Sequence, residues 1–522
     1  MSGLVVVPDR SYYLPGQTVG LQVQIPGRSG GRVTASISSL TSEVATLTGE
    51  LGRGGTALFE WSPPPTAPRG YGVDLNWSPG GSATEAGSTA FDVLHHWTER
   101  PRYGFVADFS AGRRGDAMFD ALLPFHINAL QFYDWQYRHD ELVAPQPDFV
   151  DPLGRSLSVE TIRRFVDGAR FRGIGAMAYA AIYSASLEFQ RSHLGWALYD
   201  VKGSPLTFEG FLGYMDPTLG RPWSKHLIAQ CELAMDELAF DGIHLDQYGE
   251  PRHAWDADGE EVDLASAFSG VISALKDRRP GAVVVMNAVK NWPAKILAGS
   301  RQDYFYVELW PDQPTYVDVA RVVREARRNS HGKPVVVAMY IPSDQIPNVL
   351  LATAVVFANG GTRIVLGEEA RLLADPYFPR SQAIPDELKQ RLRRYWDTAV
   401  RYGDLLFTYE PTDGQQLAVE PIPRVSTVVH RGPGVLGISL LNQWLGHGDR
   451  WDEPHGAPPP QEDLEVRFST QLRVNSVLWV NPDGSDPRAR EVVWKPTKEG
   501  GIVRLPELNY WGVLLFEVEQ PR

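Results

Sequence analysis

A single cysteine, Cys231, stands among 522 residues, which excludes an intrachain disulfide framework and any metal site built from several thiolates. Its surroundings, from Trp223 through Cys231, have a helical look, so it reads as a core thiol. No apolar stretch approaches the ~18 uninterrupted residues of a membrane span. The first eight residues, Met-Ser-Gly-Leu-Val-Val-Val-Pro, hold no basic segment leading into a long apolar one, so no export signal is visible. The expected compartment is the cytoplasm, or the outside of the cell if a leader precedes residue 1. Positive charge is in deficit, with 50 Lys and Arg against 63 Asp and Glu and a net −13. That balance speaks against a nucleic-acid partner, whose phosphates need a clustered basic face, and leaves a neutral polymer open. No Gly-x-x-x-x-Gly-Lys-Ser/Thr occurs, and the Gly-x-Gly-x-x-Gly spacing at Gly432–Gly437 leads into a strand rather than a helix, so no phosphate-cradling loop is supported. The Gly-x-Ser-x-Gly spacing at Gly27–Gly31 lies among short strands and forms no strand-to-helix elbow, and no His-Glu-x-x-His occurs. Asp and His are scattered without a repeating ligand spacing, so no metal and no other cofactor is expected.

What the chain does have is a 43% hydrophobic content, with fifteen Trp and twenty Tyr. That is ample for globular cores, and at this length two to four domains are expected. Residues 1–97 read as short strands broken by Gly, Pro and Ser, among them Thr18–Ile25, Arg32–Ile37, Ala57–Trp61 and Tyr71–Trp77. This spacing without helical periods suggests an immunoglobulin-like β-sandwich. Trp97–Arg102 reads as a linker. From there to 403 the pattern becomes apolar runs alternating with amphipathic helices. The runs are Tyr103–Phe109, Ala129–Trp135, Gly175–Ile182, Gly242–Gln247, Val283–Asn287, Tyr304–Leu309, Pro334–Tyr340 and Thr362–Leu366, and the clearest helices are Ser158–Arg172, Ser224–Leu238, Asp263–Arg278 and Tyr316–Asn329. Eight such units fit a (β/α)8 TIM barrel, with a doubly wound open sheet as the alternative. Residues 404–522 return to strands (Val425–Arg431, Val435–Leu441, Leu464–Phe468, Val474–Val480, Glu491–Trp494 and Val513–Val518) and read as a C-terminal all-β domain.

Barrel chemistry gathers at the C-terminal ends of strands, on inward-facing positions. In the fourth run, Phe240-Asp-Gly-Ile-His-Leu-Asp-Gln-Tyr-Gly-Glu250, a period of two turns Ile243 and Leu245 outward. Gly242, His244 and Asp246 then face inward. In the sixth, Asp303-Tyr-Phe-Tyr-Val-Glu-Leu-Trp-Pro311, the inward set is Tyr304, Tyr306 and Glu308. Two inward carboxylates on strands two apart can face each other across the mouth. Glycosidic cleavage needs that arrangement, with one group at the anomeric carbon and one at the leaving oxygen. The second run, Gln131-Phe-Tyr-Asp-Trp-Gln-Tyr-Arg-His-Asp140, is dense in groups suited to a polyhydroxylated ligand: Asp134, Tyr137, Arg138 and His139, with Trp135 as a stacking platform. Asp108 ends the first run, Tyr183 the third and Asn287 the fifth, Trp310 stops the sixth, and Glu368 follows the eighth. Structural corners, caps and core packing would account for each of these singly. Their recurrence at one end of successive strands argues for a polar cleft.

At these residues the chain resembles glycoside hydrolase family 66, which holds endo-dextranases and cycloisomaltooligosaccharide glucanotransferases. The likeness rests on Phe132-Tyr-Asp-Trp-Gln-Tyr-Arg-His139, Met177-Ala-Tyr-Ala-Ala-Ile-Tyr183, Tyr214-Met-Asp-Pro217, Phe240 to Gly249, Tyr306-Val-Glu-Leu-Trp310 and Leu366-Gly-Glu368. It implies Asp246 as nucleophile and Glu308 as acid/base of a retaining double displacement on α-1,6-glucan, dextran or isomaltooligosaccharides. The remaining strand-end residues, His244 included, would then contact substrate. Family members are usually secreted, whereas no signal is visible here. The cyclising enzymes usually carry an inserted carbohydrate-binding module, and no connection here is long enough to hold one. Hydrolysis is therefore expected, with cyclodextran-forming transfer as the alternative. A non-catalytic glucan-binding protein would have no use for both carboxylates.

Overall fold

The computed structural model describes residues 3–80, 85–408, 416–432, 434–443, 449–484 and 488–519. The N-terminal strands form two antiparallel sheets. Val5–Pro8, Val19–Gln24 and Thr56–Trp61 make one, and Ser42–Glu50, Arg32–Ser39, Arg69–Ser78 and Glu85–Val93 make the other. Along Arg32–Ser39 buried and less buried residues alternate, which puts Val33, Ala35 and Ile37 against Leu21, Val23, Val73 and Leu75 in a shared core. Ser42–Glu50 has no fully buried position and alternates only between half-buried Ala45, Leu47 and Gly49 and exposed neighbours.

The segment Trp97–Arg102 is not the linker its composition suggests. Trp97 begins a short 3-10 turn and is 3% exposed. Its ring plugs the barrel floor, 5.8 Å from that of Tyr304, so close to Gly175 that a Cβ there would overlap the indole. Arg102, equally buried, clamps Asp92 through two bonds of 2.6 and 3.0 Å and also donates to the Ser11 carbonyl. A junction that carries a charge into the interior must supply its counter-charge there.

The barrel strands are β1 Tyr103–Val106, β2 Ala129–Phe132, β3 Gly175–Ala181, β4 Gly242–Asp246, β5 Val283–Val289, β6 Phe305–Glu308, β7 Val335–Ala338 and β8 Thr362–Ile364. They pair in parallel in that order, and a bridge between Phe105 and Gly367 joins the seam. Each strand is followed by a helix: α1 Asp116–Leu122, α2 Val159–Phe171, α3 Pro222–Leu238, α4 Leu264–Arg278, α5 Ala294–Ala298, α6 Tyr316–Asn329, α7 Ile346–Ala358 and α8 Asp386–Arg401. Strands buried on both faces read as continuous apolar runs, as β5 does in Val-Val-Val-Met-Asn-Ala-Val. Helix α6 begins with a capping box between Thr315 and Asp318. Helix α7, by contrast, is buried all round. One side lies on the barrel and the other under the C-terminal sheets, where Phe357 meets Trp511 at 6.0 Å.

The C-terminal strands again form two sheets. One orders Leu417–Val419, Gln461–Thr470, Gly500–Leu508 and Trp494–Pro496, the other Val425–Gly432, Val435–Asn442, Trp511–Val518, Val474–Val480 and Arg490–Glu491. The single strand expected at Glu491–Trp494 is therefore two short ones, because the chain crosses from one sheet to the other between them. Helix α8 joins all three parts. Arg401 reaches Asp74 at 2.9 and 2.6 Å, and the Val400 carbonyl approaches Gly70 so closely that no side chain fits there. Among the described residues no helix is long and apolar enough to cross a membrane.

Replacing Arg102 by Met should destabilise the fold by about 3–5 kcal/mol, because Asp92 would stay buried without its partner. Equilibrium denaturation in guanidinium measures this, and a loss below about 1 kcal/mol would show that the junction relaxes to admit water.

Candidate active site

Asp246 ends β4 and Glu308 ends β6, both on the inward parity, while Asn287 stands on β5 between them. The Asn287 Nδ2 donates to Asp246 Oδ1 at 2.9 Å and to Glu308 Oε2 at 2.6 Å. Laid end to end, the bonds of 2.9 and 2.6 Å cap the separation of those oxygens at about 5.5 Å. A retaining pair sits roughly 5–5.5 Å apart, whereas an inverting pair needs roughly 6.5–9.5 Å to admit a water. The second Glu308 oxygen accepts from the Trp310 indole at 2.7 Å. The amide must be turned this way, since its oxygen would repel both carboxylates.

Burial, and after it the charge of Glu308, pushes the Asp246 carboxyl well above the usual range. Hydrogen bonds from Asn287, the Gln247 backbone N–H and the Tyr179 hydroxyl pull it back. Glu308 is also raised by burial, and is opposed by Asn287, Tyr340, Trp310 and the charge of Lys290. Half-buried Asp246 and buried Glu308 lie close enough to titrate as a unit, and their repulsion favours a state in which one of them is protonated.

Of the second-run residues expected to contact a ligand, Asp134 alone shares this mouth, beside Tyr133. Its backbone is left-handed, with φ 49, and Arg155 donates to its carbonyl at 2.8 Å. Burial pushes its carboxyl up to about 6 against the nearby Arg155 charge, and its own charge bears on Tyr133, Tyr179 and Tyr248. Trp135 is not a platform. It is 1% exposed, donates to the Tyr179 carbonyl and packs 4.8 Å from Phe240, because the left-handed step at Asp134 breaks the alternation that would otherwise turn it inward with Ala129 and Tyr133. Tyr137 packs edge-on against Phe149, with the Arg138 guanidinium 4.0 Å above its ring. Arg138 donates to the Tyr137 and Val150 carbonyls and so ties the loop together. His139 is buried, which lowers its pKa to about 4.

His244 sits one layer below Asp246, with Nδ1 3.0 Å from the Tyr103 hydroxyl, where burial takes its pKa down to about 3. It belongs to the barrel core. Tyr183 is fully buried, donates to the Glu250 carbonyl and accepts from the Tyr248 N–H, so it shapes the loop after β4. Asp108 and Glu368 both pair with Arg113 at the β1–β8 seam, and none of these bonds reaches the carboxylate pair.

Tyr179, Tyr248, Lys290 and Tyr340 are site residues that the sequence reading passed over. Extending the inward parity used for β4 and β6 to β3 and β7 would have found Tyr179, in step with Met177, and Tyr340, in step with Val336 and Ala338. No pattern announces Lys290 or Tyr248, which lie in loops.

The glycosyl hydrolase family 66 model matches residues 8–515. A cycloisomaltooligosaccharide glucanotransferase of Niallia circulans is 29% identical over 373 residues, 64% of this chain and 38% of that protein. The chain thus matches well under half the length of that relative. A dextranase of Streptococcus salivarius is 23% identical over 571 residues, 88% of this chain and 68% of that protein. Among solved structures, a Paenibacillus sp. cycloisomaltooligosaccharide glucanotransferase complexed with cycloisomaltoheptaose superposes with a TM-score of 0.88 at 21% identity, over 98% of this chain and 99% of that one. A noncanonic maltogenic alpha-amylase from Thermotoga neapolitana shares the architecture more loosely, with a TM-score of 0.52 at 13% identity, over 81% of this chain and 99% of that one. At such identities these structures speak for the fold alone. The match over nearly the whole length settles the family: the chain belongs to glycosyl hydrolase family 66.

Proposed function

We propose that the chain is a retaining glycoside hydrolase that cleaves α-1,6-glucosidic bonds of dextran or isomaltooligosaccharides. The observation that carries this reading is the single Asn287 amide N–H group bonded to both Asp246 and Glu308. It keeps one oxygen of each carboxyl within about 5.5 Å of the other, which supports a double displacement. Asp246 attacks the anomeric carbon while protonated Glu308 gives its proton to the departing oxygen, leaving a glucosyl ester on Asp246. Glu308, now ionised, takes a proton from water, which attacks the ester and frees Asp246. The α-1,6-glucan substrate comes into the reading from relatives named dextranase and cycloisomaltooligosaccharide glucanotransferase.

A second reading keeps the first half-reaction and replaces water by a sugar hydroxyl, giving transfer or cyclisation. The glucanotransferase relatives favour it.

Glu308→Gln should lower dextran hydrolysis by roughly a thousandfold or more while leaving the fold intact, and proton NMR of the first products should show the α-anomer. Starch should not be cleaved. Near-full activity of Glu308→Gln, or a β-anomeric first product, would refute the assignment.

The pair also sets a pH dependence of stability. In the unfolded chain Asp246 ionises in the usual carboxylate range, while in the folded site it does so higher. As pH rises between these values the folded state loses stability relative to the unfolded one. Asp246→Asn should therefore raise the unfolding midpoint at pH 8, with a gain that shrinks as pH falls towards 4. A midpoint difference that does not vary between these pH values would contradict the raised carboxyl.

A further inference from the structure

Beside Glu308 the backbone takes two left-handed steps in succession, at Lys290 with φ 54 and Asn291 with φ 56. Only glycine adopts this conformation freely, and asparagine tolerates it better than lysine does. Strained positions of this kind persist where the surrounding structure holds them, and they cluster at functional sites. Here the β5–β6 ladder, which pairs Val289 with Glu308, holds the turn through a bond from the Lys290 N–H to the Glu308 carbonyl at 2.9 Å. The turn carries the lysine stem past Gly249 and leaves the ammonium 5.9 Å from the centre of the Trp310 ring.

The other polar side chains around Glu308 all bond its carboxylate: Asn287, Trp310 and Tyr340. Lys290 acts on Glu308 through its charge alone. Among the described residues its ammonium makes neither a hydrogen bond nor an ion pair. A half-buried ammonium offers three donors and accepts nothing, so it suits a ligand rich in acceptor oxygens. In the proposed mechanism Glu308 serves the leaving oxygen, and because the charge of Lys290 and the indole of Trp310 both bear on Glu308, they adjoin the departing half of the substrate.

We infer that Lys290 is a specificity residue of the leaving-group side. Its ammonium hydrogen-bonds hydroxyls of the glucosyl unit that departs, and of a sugar that later accepts, against the Trp310 face. This rests on the proposed glucan hydrolysis. The pairing of a cation with an indole beside the acid/base would also bias the choice between water and a sugar acceptor.

The test compares dextran with an aryl α-isomaltooligosaccharide, whose phenolate leaves unaided and places no sugar against Lys290. Lys290→Met should lower kcat/KM on dextran by roughly ten- to a hundredfold, the value of a charge-assisted hydrogen bond or two. The aryl substrate, which still feels the lost charge beside Glu308, should fall by at least threefold less than dextran, and Lys290→Arg should recover part of the dextran activity. With added isomaltotriose, Lys290→Met should form less transfer product relative to hydrolysis. Lys290→Gly, which relieves the left-handed backbone, should melt no lower than the parent while losing dextran activity to a similar extent. Equal losses on both substrates, or a Lys290→Met chain with unchanged dextran kinetics, would overturn the role of Lys290 alone. A parent chain that turns over the aryl substrate but not dextran would overturn the glucan reading and this inference with it.

Discussion

Two carboxyls facing one amide donor in a buried pocket repel each other and lose their hydration, and the rest of the barrel mouth is arranged around that cost. Neither charge could be placed there alone, because desolvation drives a buried carboxyl to take up a proton. The surrounding donors lower the cost without removing it. Asn287 serves both groups, Trp310 and Tyr340 serve Glu308, and Tyr179 and the Gln247 N–H serve Asp246. What remains is a pair that prefers one shared proton, the state from which one member attacks and the other donates. A site that is unfavourable by itself lasts only on a frame that cannot relax it away.

That frame is stiff for identifiable reasons. The barrel interior is filled beneath the site by Tyr103, His244, Tyr304 and Tyr306, and closed below by Trp97. The two sandwiches are tied to it by buried ion pairs rather than by loose contact. Arg102 meets Asp92, Arg401 meets Asp74 and Arg391 meets Asp483, the last two between parts far apart in the chain. Buried pairs of this type add little net stability compared with apolar packing, but they permit few alternative dockings. Their lasting contribution is therefore orientation, which holds α8 and the barrel wall in one position.

The barrel was legible because β-strands buried on both faces and amphipathic helices leave opposite periodicities, and all eight strand runs overlap the observed strands. Helix α7 escaped because a helix covered on every side has no polar face to mark its period. The chain crossing at Glu491–Trp494 escaped because a short run gives no clue that its two halves pair with different sheets. At the site, parity pointed to Asp246 and Glu308 and strand ends to Asn287 and Trp310, which the fold brings into hydrogen-bond contact, and to Asp134 at the same mouth. It misjudged Trp135, Tyr183 and His244 for one reason. Polar or aromatic character at a strand end says that a side chain has a partner, not whether the partner is a ligand or the protein. Trp135 spends its indole N–H on the Tyr179 carbonyl and Tyr183 its hydroxyl on that of Glu250, and neither bond has a local sequence signal.

The register of the strands accounts for the division between Asp and Glu. Adjacent strands lie roughly 4.8 Å apart, so β4 and β6 stand nearly 10 Å apart at the backbone, and β5 is the only strand between them. Leu245 pairs with Met286, which puts Asp246 level with Asn287, but Asn287 pairs with Tyr306, which leaves Glu308 two residues further along. The stagger that closes a barrel therefore sets the two carboxylates at different heights above the floor. A short Asp at the lower level and a longer Glu reaching from the upper one can both meet an amide projecting from between them. Two Asp residues would leave a gap, and two Glu residues would crowd the nucleophile towards the leaving-group side. The difference of one methylene thus follows from strand stagger, which sets the Asp carboxyl low and the Glu carboxyl high above the floor.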